Sequence, residues 1–156
     1  VGAGEGNNRV TGGAGDDSVT TGAGDDTINA GEGNNSVTGG AGNDSVTTGS
    51  GDDTINGGAG NDSINAGDGN NTINSGEGNN SVTGGSGNDT VNLGDGNNTV
   101  DRESGNNGES VGLGDRRITT STGDDTINAG EGNNSVTDGA GNDRVTPRAG
   151  DDSLHR

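Results

Sequence analysis

The sequence predicts an all-β fold, a parallel β-solenoid in which two nine-residue repeats make each coil. Three observations carry that prediction. The chain repeats every nine residues from Val1 to Arg156 without insertion or deletion; one aliphatic residue recurs at a fixed phase, from Val1 and Val10 to Leu154, with Glu109 the only break; and Gly recurs without exception at position 6 and every ninth residue through Gly150. With no Phe, Trp, Tyr, Met or Cys and 19% hydrophobic residues, the chain cannot build an ordinary globular core. Such a composition taken alone reads as disorder. A disordered chain, however, has no reason to hold its few aliphatics at one phase, and a fixed period is the mark of stacked repeats. Collagen is excluded, because Gly does not fall at every third residue.

Each repeat divides in two. In Gly40-Ala41-Gly42-Asn43-Asp44-Ser45-Val46-Thr47-Thr48 the last part reads as a very short strand. Its β-branched residue points to one face and its Ser/Thr and Thr/Asn flanks to the other, following the two-residue period of a strand. One apolar residue per strand is expected to face inward. The glycines form the turn: a requirement that strict points to positive φ or to a close backbone approach, both of which exclude a Cβ. The Asx pair after them bonds readily to local backbone and tolerates turn geometry.

A three-residue strand cannot survive alone, so repeats stack as a solenoid with neighbours about 4.8 Å apart. For the aliphatic residues to face each other, two repeats form a coil of 18 residues, with Val10 stacking on Ile28 and Val46, and Val19 on Val37 and Ile55. The result is about eight to nine coils and roughly 40 Å of rod. Residues 1–156 read as one array, degenerate over 101–121 and beginning at Val1 rather than Met, as a segment of a longer protein would.

The net charge of −18, from 25 acids against seven Arg and no Lys, repels phosphate backbones and anionic membrane surfaces. Cations are the expected partners; nucleic acid and membrane insertion are not, since no apolar run approaches a membrane span. Catalysis has little to work with. The only His, His155, lies beside the C-terminus, and no Cys, Lys or Tyr is present to act as nucleophile or base. An enzyme is not expected.

Gly39-Gly40-Ala41-Gly42-Asn43-Asp44-Ser45-Val46 and Gly57-Gly58-Ala59-Gly60-Asn61-Asp62-Ser63-Ile64 resemble the nonapeptide Gly-Gly-x-Gly-x-Asp-x-U-x of the repeats-in-toxin (RTX, haemolysin-type) calcium-binding family. The resemblance covers essentially the whole chain. It implies a parallel β-roll in which each Ca²⁺ lies between turns of successive coils, held by the motif Asp of both turns and by carbonyls of the Gly-rich segment. It also implies a secreted or cell-surface bacterial protein, exported by a type I-like route and folding on calcium outside the cell. The chemistry agrees, since a hard cation takes several oxygens, and Gly turns offer carbonyls while Asp supplies charge.

Carried over, the ligand position is two residues before the aliphatic one, and its partner lies 18 residues on. The column holds Asp at Asp17, Asp26, Asp44, Asp53, Asp62, Asp89, Asp125, Asp143 and Asp152, Asn at 8, 35, 71, 80, 98, 107 and 134, and Arg at 116. Two carboxylates meet only at Asp26 with Asp44, Asp44 with Asp62, and Asp125 with Asp143. Those are the expected strong sites, with backbone carbonyls from turns such as Gly22, Gly24, Gly40, Gly42, Gly58 and Gly60. Sites with one Asp carry less charge and are expected to bind more weakly. The Asn-only stretch reads as an amide ladder.

Two other readings stand beside this one. Neither terminus carries an obvious cap, so rods could stack end to end as a filament or stalk. The outward rows of Ser, Thr and Asn form a flat polar face that could bind ice or a glycan. Within 101–121, Arg116 is expected to set a guanidinium where a metal would otherwise lie. Glu109 falls on the core phase, and a two-residue slip that turns Val111 inward instead is expected to relieve it.

Overall fold

A computed structural model describes residues Val1–Arg156 and shows an all-β, parallel solenoid of about nine coils. The strands, three to six residues long, alternate between two nine-stranded sheets. Odd-numbered strands, from β1 (Gly2–Gly4) to β17 (Arg144–Pro147), form one sheet; even-numbered strands, from β2 (Arg9–Ala14) to β18 (Ser153–His155), form the other. Every hydrogen-bonded neighbour is therefore one coil away. Val10 pairs with Ile28 and Ile28 with Val46, while Val19 pairs with Val37 and Val37 with Ile55, as an 18-residue coil requires. No helix is long and apolar enough to cross a membrane.

The strands carry more of the core than one aliphatic residue each. Several run six residues, such as Thr27–Glu32 and Thr54–Ala59, and the residue two beyond the aliphatic is also buried, as at Thr21, Ala30, Thr48, Ala66, Ser75 and Leu93. The Asx residue two before it is buried as well, so Asp26, Ile28 and Ala30 face inward in alternation. The expectation of a single inward residue is thus corrected: the first turn Gly often continues the strand, and a period of two then adds further inward positions. That second position is mostly small, held by Gly, Ala, Ser or Thr in most coils. Where it is Thr, the hydroxyl donates to a carbonyl one coil on, as from Thr48 to Ala66 at 2.6 Å.

Many turn glycines meet both conditions that exclude a Cβ. Gly42 has φ +136°, and a Cβ there would lie 2.2 Å from the Gly24 carbonyl oxygen of the preceding coil. Any other residue would push successive turns apart.

The degenerate segment keeps its register. Glu109, on β13 (Gly108–Val111), pairs with Val91 and with Ile127 at the ordinary core phase, and its side chain is fully buried. The expected slip does not occur. Arg102, in the second inward position, reaches across the core and pairs with the Glu109 carboxylate, and its Nη1 donates to the Gly108 carbonyl at 3.2 Å. Room for Arg102 comes from Gly84 one coil earlier, where a Cβ would lie 2.8 Å from the Arg102 Cγ. A buried counter-charge removes the need for a slip, and Val111 packs against the core from the second inward position without one. The ion pair nevertheless divides the core. Apolar side chains from Val10 to Val100 form one cluster, and Ile118, Ile127, Ala129 and Val136 form another.

Candidate metal centre

Coiling sorts the turns into two stacks along opposite edges of the rod. One carries Asn8, Asp26, Asp44, Asp62, Asn80, Asn98, Arg116, Asn134 and Asp152 in its inner column; the other carries Asp17, Asn35, Asp53, Asn71, Asp89, Asn107, Asp125 and Asp143. The 18-residue partners named above are thus neighbours in one stack.

Two side-chain ladders bind each turn to the next. In the inner column a backbone N–H donates forward to the Oδ1 one coil on, as from Asp26 to Asp44 at 2.8 Å and from Asp44 to Asp62 at 2.9 Å. In the outer column, the residue just before, the N–H donates backward, as from Asn43 to Asp25 at 2.7 Å and from Asn61 to Asn43 at 2.8 Å. Either Asp or Asn can accept such a bond, so these ladders explain why Asx is required but not which Asx. The outer column is Asx in every repeat from Asn7 to Asp151, and its structural role was legible in that regularity.

The second atom of the inner side chain tells Asp from Asn. Where the column holds Asn, the amide Nδ2 turns back onto its own turn: Asn35 donates to the Gly31 and Gly33 carbonyls at 3.0 and 2.9 Å, and Asn98 to those of Gly94 and Gly96 at 3.3 and 3.2 Å. Where it holds Asp, there is no proton to give. The Oδ2 atoms of Asp26, Asp44, Asp53, Asp62, Asp89 and Asp125 are buried with no hydrogen-bond partner. Each is an acceptor without a hydrogen-bond donor, and only Asp89 has a cation, Arg102, close enough to offset its burial; the arrangement stays expensive until something cationic or protic reaches these oxygens. Asp17, Asp143 and Asp152 occupy the same column but are only half-buried.

These oxygens fit a hard cation. A Cβ at Gly39 would lie 2.6 Å from Asp44 Oδ2 and 2.6 Å from the Gly57 carbonyl oxygen, and a Cβ at Gly57 would stand equally near Asp62 Oδ2 and the Ser75 carbonyl. At Asp44 and Asp62 the unpaired oxygen thus lies against a backbone carbonyl in space that Gly keeps open. No three acidic or His side chains converge on one point, so the donor set is carboxylate plus carbonyl, the all-oxygen kind that calcium takes. Sequence reasoning missed Gly39 and Gly57 as part of the site, because the column five residues before the Asp was not recognised as inward.

Burial raises Asp44 above the ordinary carboxylate range, with the Asp26 charge adding to it; Asp62 is raised in the same way, with Asp44 as neighbour. Burial pushes Asp89 up to about 6 despite Arg102 nearby, and Glu109 up to about 7 despite Arg102 and Arg116.

Arg116 takes the inner-column position between Asn98 and Asn134. Its Nη1 donates to the Gly114 carbonyl at 2.8 Å, and its Nη2 to Leu113 at 2.9 Å and to Gly94, one coil back, at 3.0 Å. The guanidinium therefore satisfies the Gly114 carbonyl, as an Asn amide would, and adds Leu113 and Gly94 that an Asn at this position would not take.

A family model described as "RTX calcium-binding nonapeptide repeat (4 copies)" matches residues 2–37, 38–73, 47–82, 65–100, 74–108 and 119–154. Only 109–118 lies between matched segments, the stretch that begins at Glu109 and contains Arg116. No curated protein matches the chain.

Proposed function

Since the chain belongs to the RTX calcium-binding nonapeptide repeat family, we propose that it is a non-enzymatic structural module that folds on calcium outside the cell, as part of a secreted or cell-surface bacterial protein. The observation that carries this reading is the row of buried, unpartnered Oδ2 atoms at Asp26, Asp44, Asp53, Asp62, Asp89 and Asp125. Without a cation these charges oppose the fold that buries them. Bound calcium supplies the missing positive partner, and the ligands that would hold it are the inner-column Asp pairs with carbonyls of the Gly turns.

The strongest sites are assigned to Asp26 with Asp44, Asp44 with Asp62, and Asp125 with Asp143, where two carboxylates share one ion. Asp17, Asp53, Asp89 and Asp152, each opposite an Asn, hold ions more weakly. Because the sites exist only when coils are stacked, calcium binds the folded chain alone and stabilises it by linkage, by about 2.7 kcal/mol per site at a hundredfold excess over Kd. Extracellular calcium modules work with Kd on the order of 10⁻⁴ to 10⁻³ M, which keeps such a chain loose inside a cell and rigid outside it.

Circular dichroism in calcium and in chelator, with the metal count from native mass spectrometry, tests this. Strand signal should appear with calcium, together with several bound ions per chain. An unchanged spectrum in chelator, or a chain without bound calcium, would defeat the reading.

A further inference from the structure

We infer that Arg116 is a built-in replacement for a metal ion, whose guanidinium clasps two successive coils and keeps the middle of the rod folded without calcium. The inference rests on the calcium reading for what the position would otherwise hold. Of seven arginines only Arg102 and Arg116 are buried, and both lie in this one part of the rod.

The inner ladder shows why a clasp is needed there. Its rungs run from the Asn8 N–H onward, including Asn80 to Asn98 at 2.7 Å and Arg116 to Asn134 at 3.2 Å. Arg116 has no Oδ1, so the Asn98 N–H has no acceptor one coil on, and the ladder loses this rung. The guanidinium compensates from the other side. It reaches back to the Gly94 carbonyl, which Asn98 also uses, while holding Leu113 and Gly114 of its own turn. One planar cation thus bridges carbonyls of two coils, and bonds to a charged donor are the stronger kind. The outer ladder continues across the same junction, from Asp115 to Asn97 at 3.0 Å, and supplies the second tie.

The charges around Arg116 match this role. Burial lowers Arg116 below the ordinary guanidinium range, and Glu109, Asp95 and Asp115 lie near enough to oppose that effect and favour its cation. Its neighbours in the column, Asn98 and Asn134, are neutral, so no carboxylate there calls for a divalent ion. The acid-bearing coils lie to either side, Asp17 to Asp89 before it and Asp125 to Asp152 after it. Arg116 gives both arrays a stacked surface on which to build before any ion is bound, which is where propagation along a solenoid can start.

The test combines hydrogen exchange in chelator with metal counting in calcium. In chelator, wild-type amides between Gly94 and Asn134 should exchange roughly tenfold or more slowly than those between Gly22 and Asp62, a factor set by charge-assisted bonds that only the former retain. Arg116→Gln should sharply reduce that difference around Gly94–Gly96 and Leu113–Asn134, leaving only what the Arg102–Glu109 pair holds. In calcium, Asn98→Asp combined with Arg116→Asp should bind at least one more ion than wild type, because it recreates a carboxylate pair 18 residues apart, while Arg116→Gln should bind none beyond wild type. Wild-type protein that takes up no calcium overturns the calcium reading and this inference together. A calcium-binding wild type whose chelated form exchanges uniformly, whose Arg116→Gln variant keeps its protection, or whose double Asp variant gains no ion overturns this inference alone.

Discussion

Asp26, Asp44 and Asp62 occupy the same column of the same stack as Asn98, Arg116 and Asn134, yet the two stretches solve one electrostatic problem in opposite ways. In the first, each Oδ1 accepts a backbone N–H from the coil before and each Oδ2 is left buried and unpaired. In the second, amide protons of Asn98 and Asn134 and the guanidinium of Arg116 satisfy the turn carbonyls from within the chain. The backbone is the same in both. On the calcium reading proposed above, what differs is the source of positive charge, external in one stretch and covalent in the other, and calcium dependence should differ accordingly.

The largest test of that contrast lies at the buried pair. Arg102→Ala leaves Glu109 uncompensated in the core and should lower stability in calcium by about 3–5 kcal/mol, whereas Arg102→Leu with Glu109→Ile should be neutral or stabilising by about 1–4 kcal/mol. Urea denaturation in saturating calcium measures both. A mild Arg102→Ala phenotype would show that the junction does not depend on its internal charges.

Next in size is Asp44→Asn, which converts one rung of the acidic stretch to the chemistry of the other. The amide should satisfy the Gly40 and Gly42 carbonyls, removing an unpaired buried charge, so the variant should be more stable than wild type in chelator by about 1–3 kcal/mol. In calcium the sign should reverse, with fewer ions bound. Melting curves that fail to cross between the two conditions would break the comparison.

A smaller effect is expected from pH. Asp44 and Asp62 are raised above their ordinary values, Asp89 stands at about 6 and Glu109 at about 7, so the folded chain holds protons that the unfolded chain releases. Stability tied to such groups is fully present below the ordinary carboxylate range and is lost as pH rises through the folded values. Metal-free protein should therefore become more stable as pH falls from about 7 toward about 4. Calcium-loaded protein should lose that gain, because protons compete with the ion for the same oxygens. Urea midpoints at both ends of the window, with chelator and with calcium, measure the two slopes.

The smallest effect should come from the outer ladder. Asn79→Ala removes an acceptor for the Asn97 N–H on the exposed edge, and about 0.5–1.5 kcal/mol should be lost equally with and without calcium. A loss confined to calcium would place the outer column in the metal site.

Much of this contrast was legible before any coordinates. The Asp, Asn and Arg members of the inner column, their 18-residue partners and the place of Arg116 all follow from period and residue type. Three things did not. The second inward position was not evident because most of its occupants, such as Gly39 and Thr48, are small or polar and make no regular apolar column. Without it, Arg102 could not be seen as buried, and Glu109 was expected to slip out of a core where a counter-charge in fact awaited it. The loss of the Asn98 rung was equally invisible, since it depends on which way each ladder donates.

The sequence by itself determined the coil, the register and the Asx columns, because a nine-residue period with one β-branched residue and strict glycines admits few stackings. Tertiary structure alone decided which oxygens stay unpaired, which Gly keeps the space beside two of them, which carbonyls the Arg116 guanidinium takes, and that Arg102 and Glu109 pair in the core. Those outcomes depend on atoms one coil apart in sequence but a single strand spacing apart in space, and only folding brings such atoms within hydrogen-bond reach.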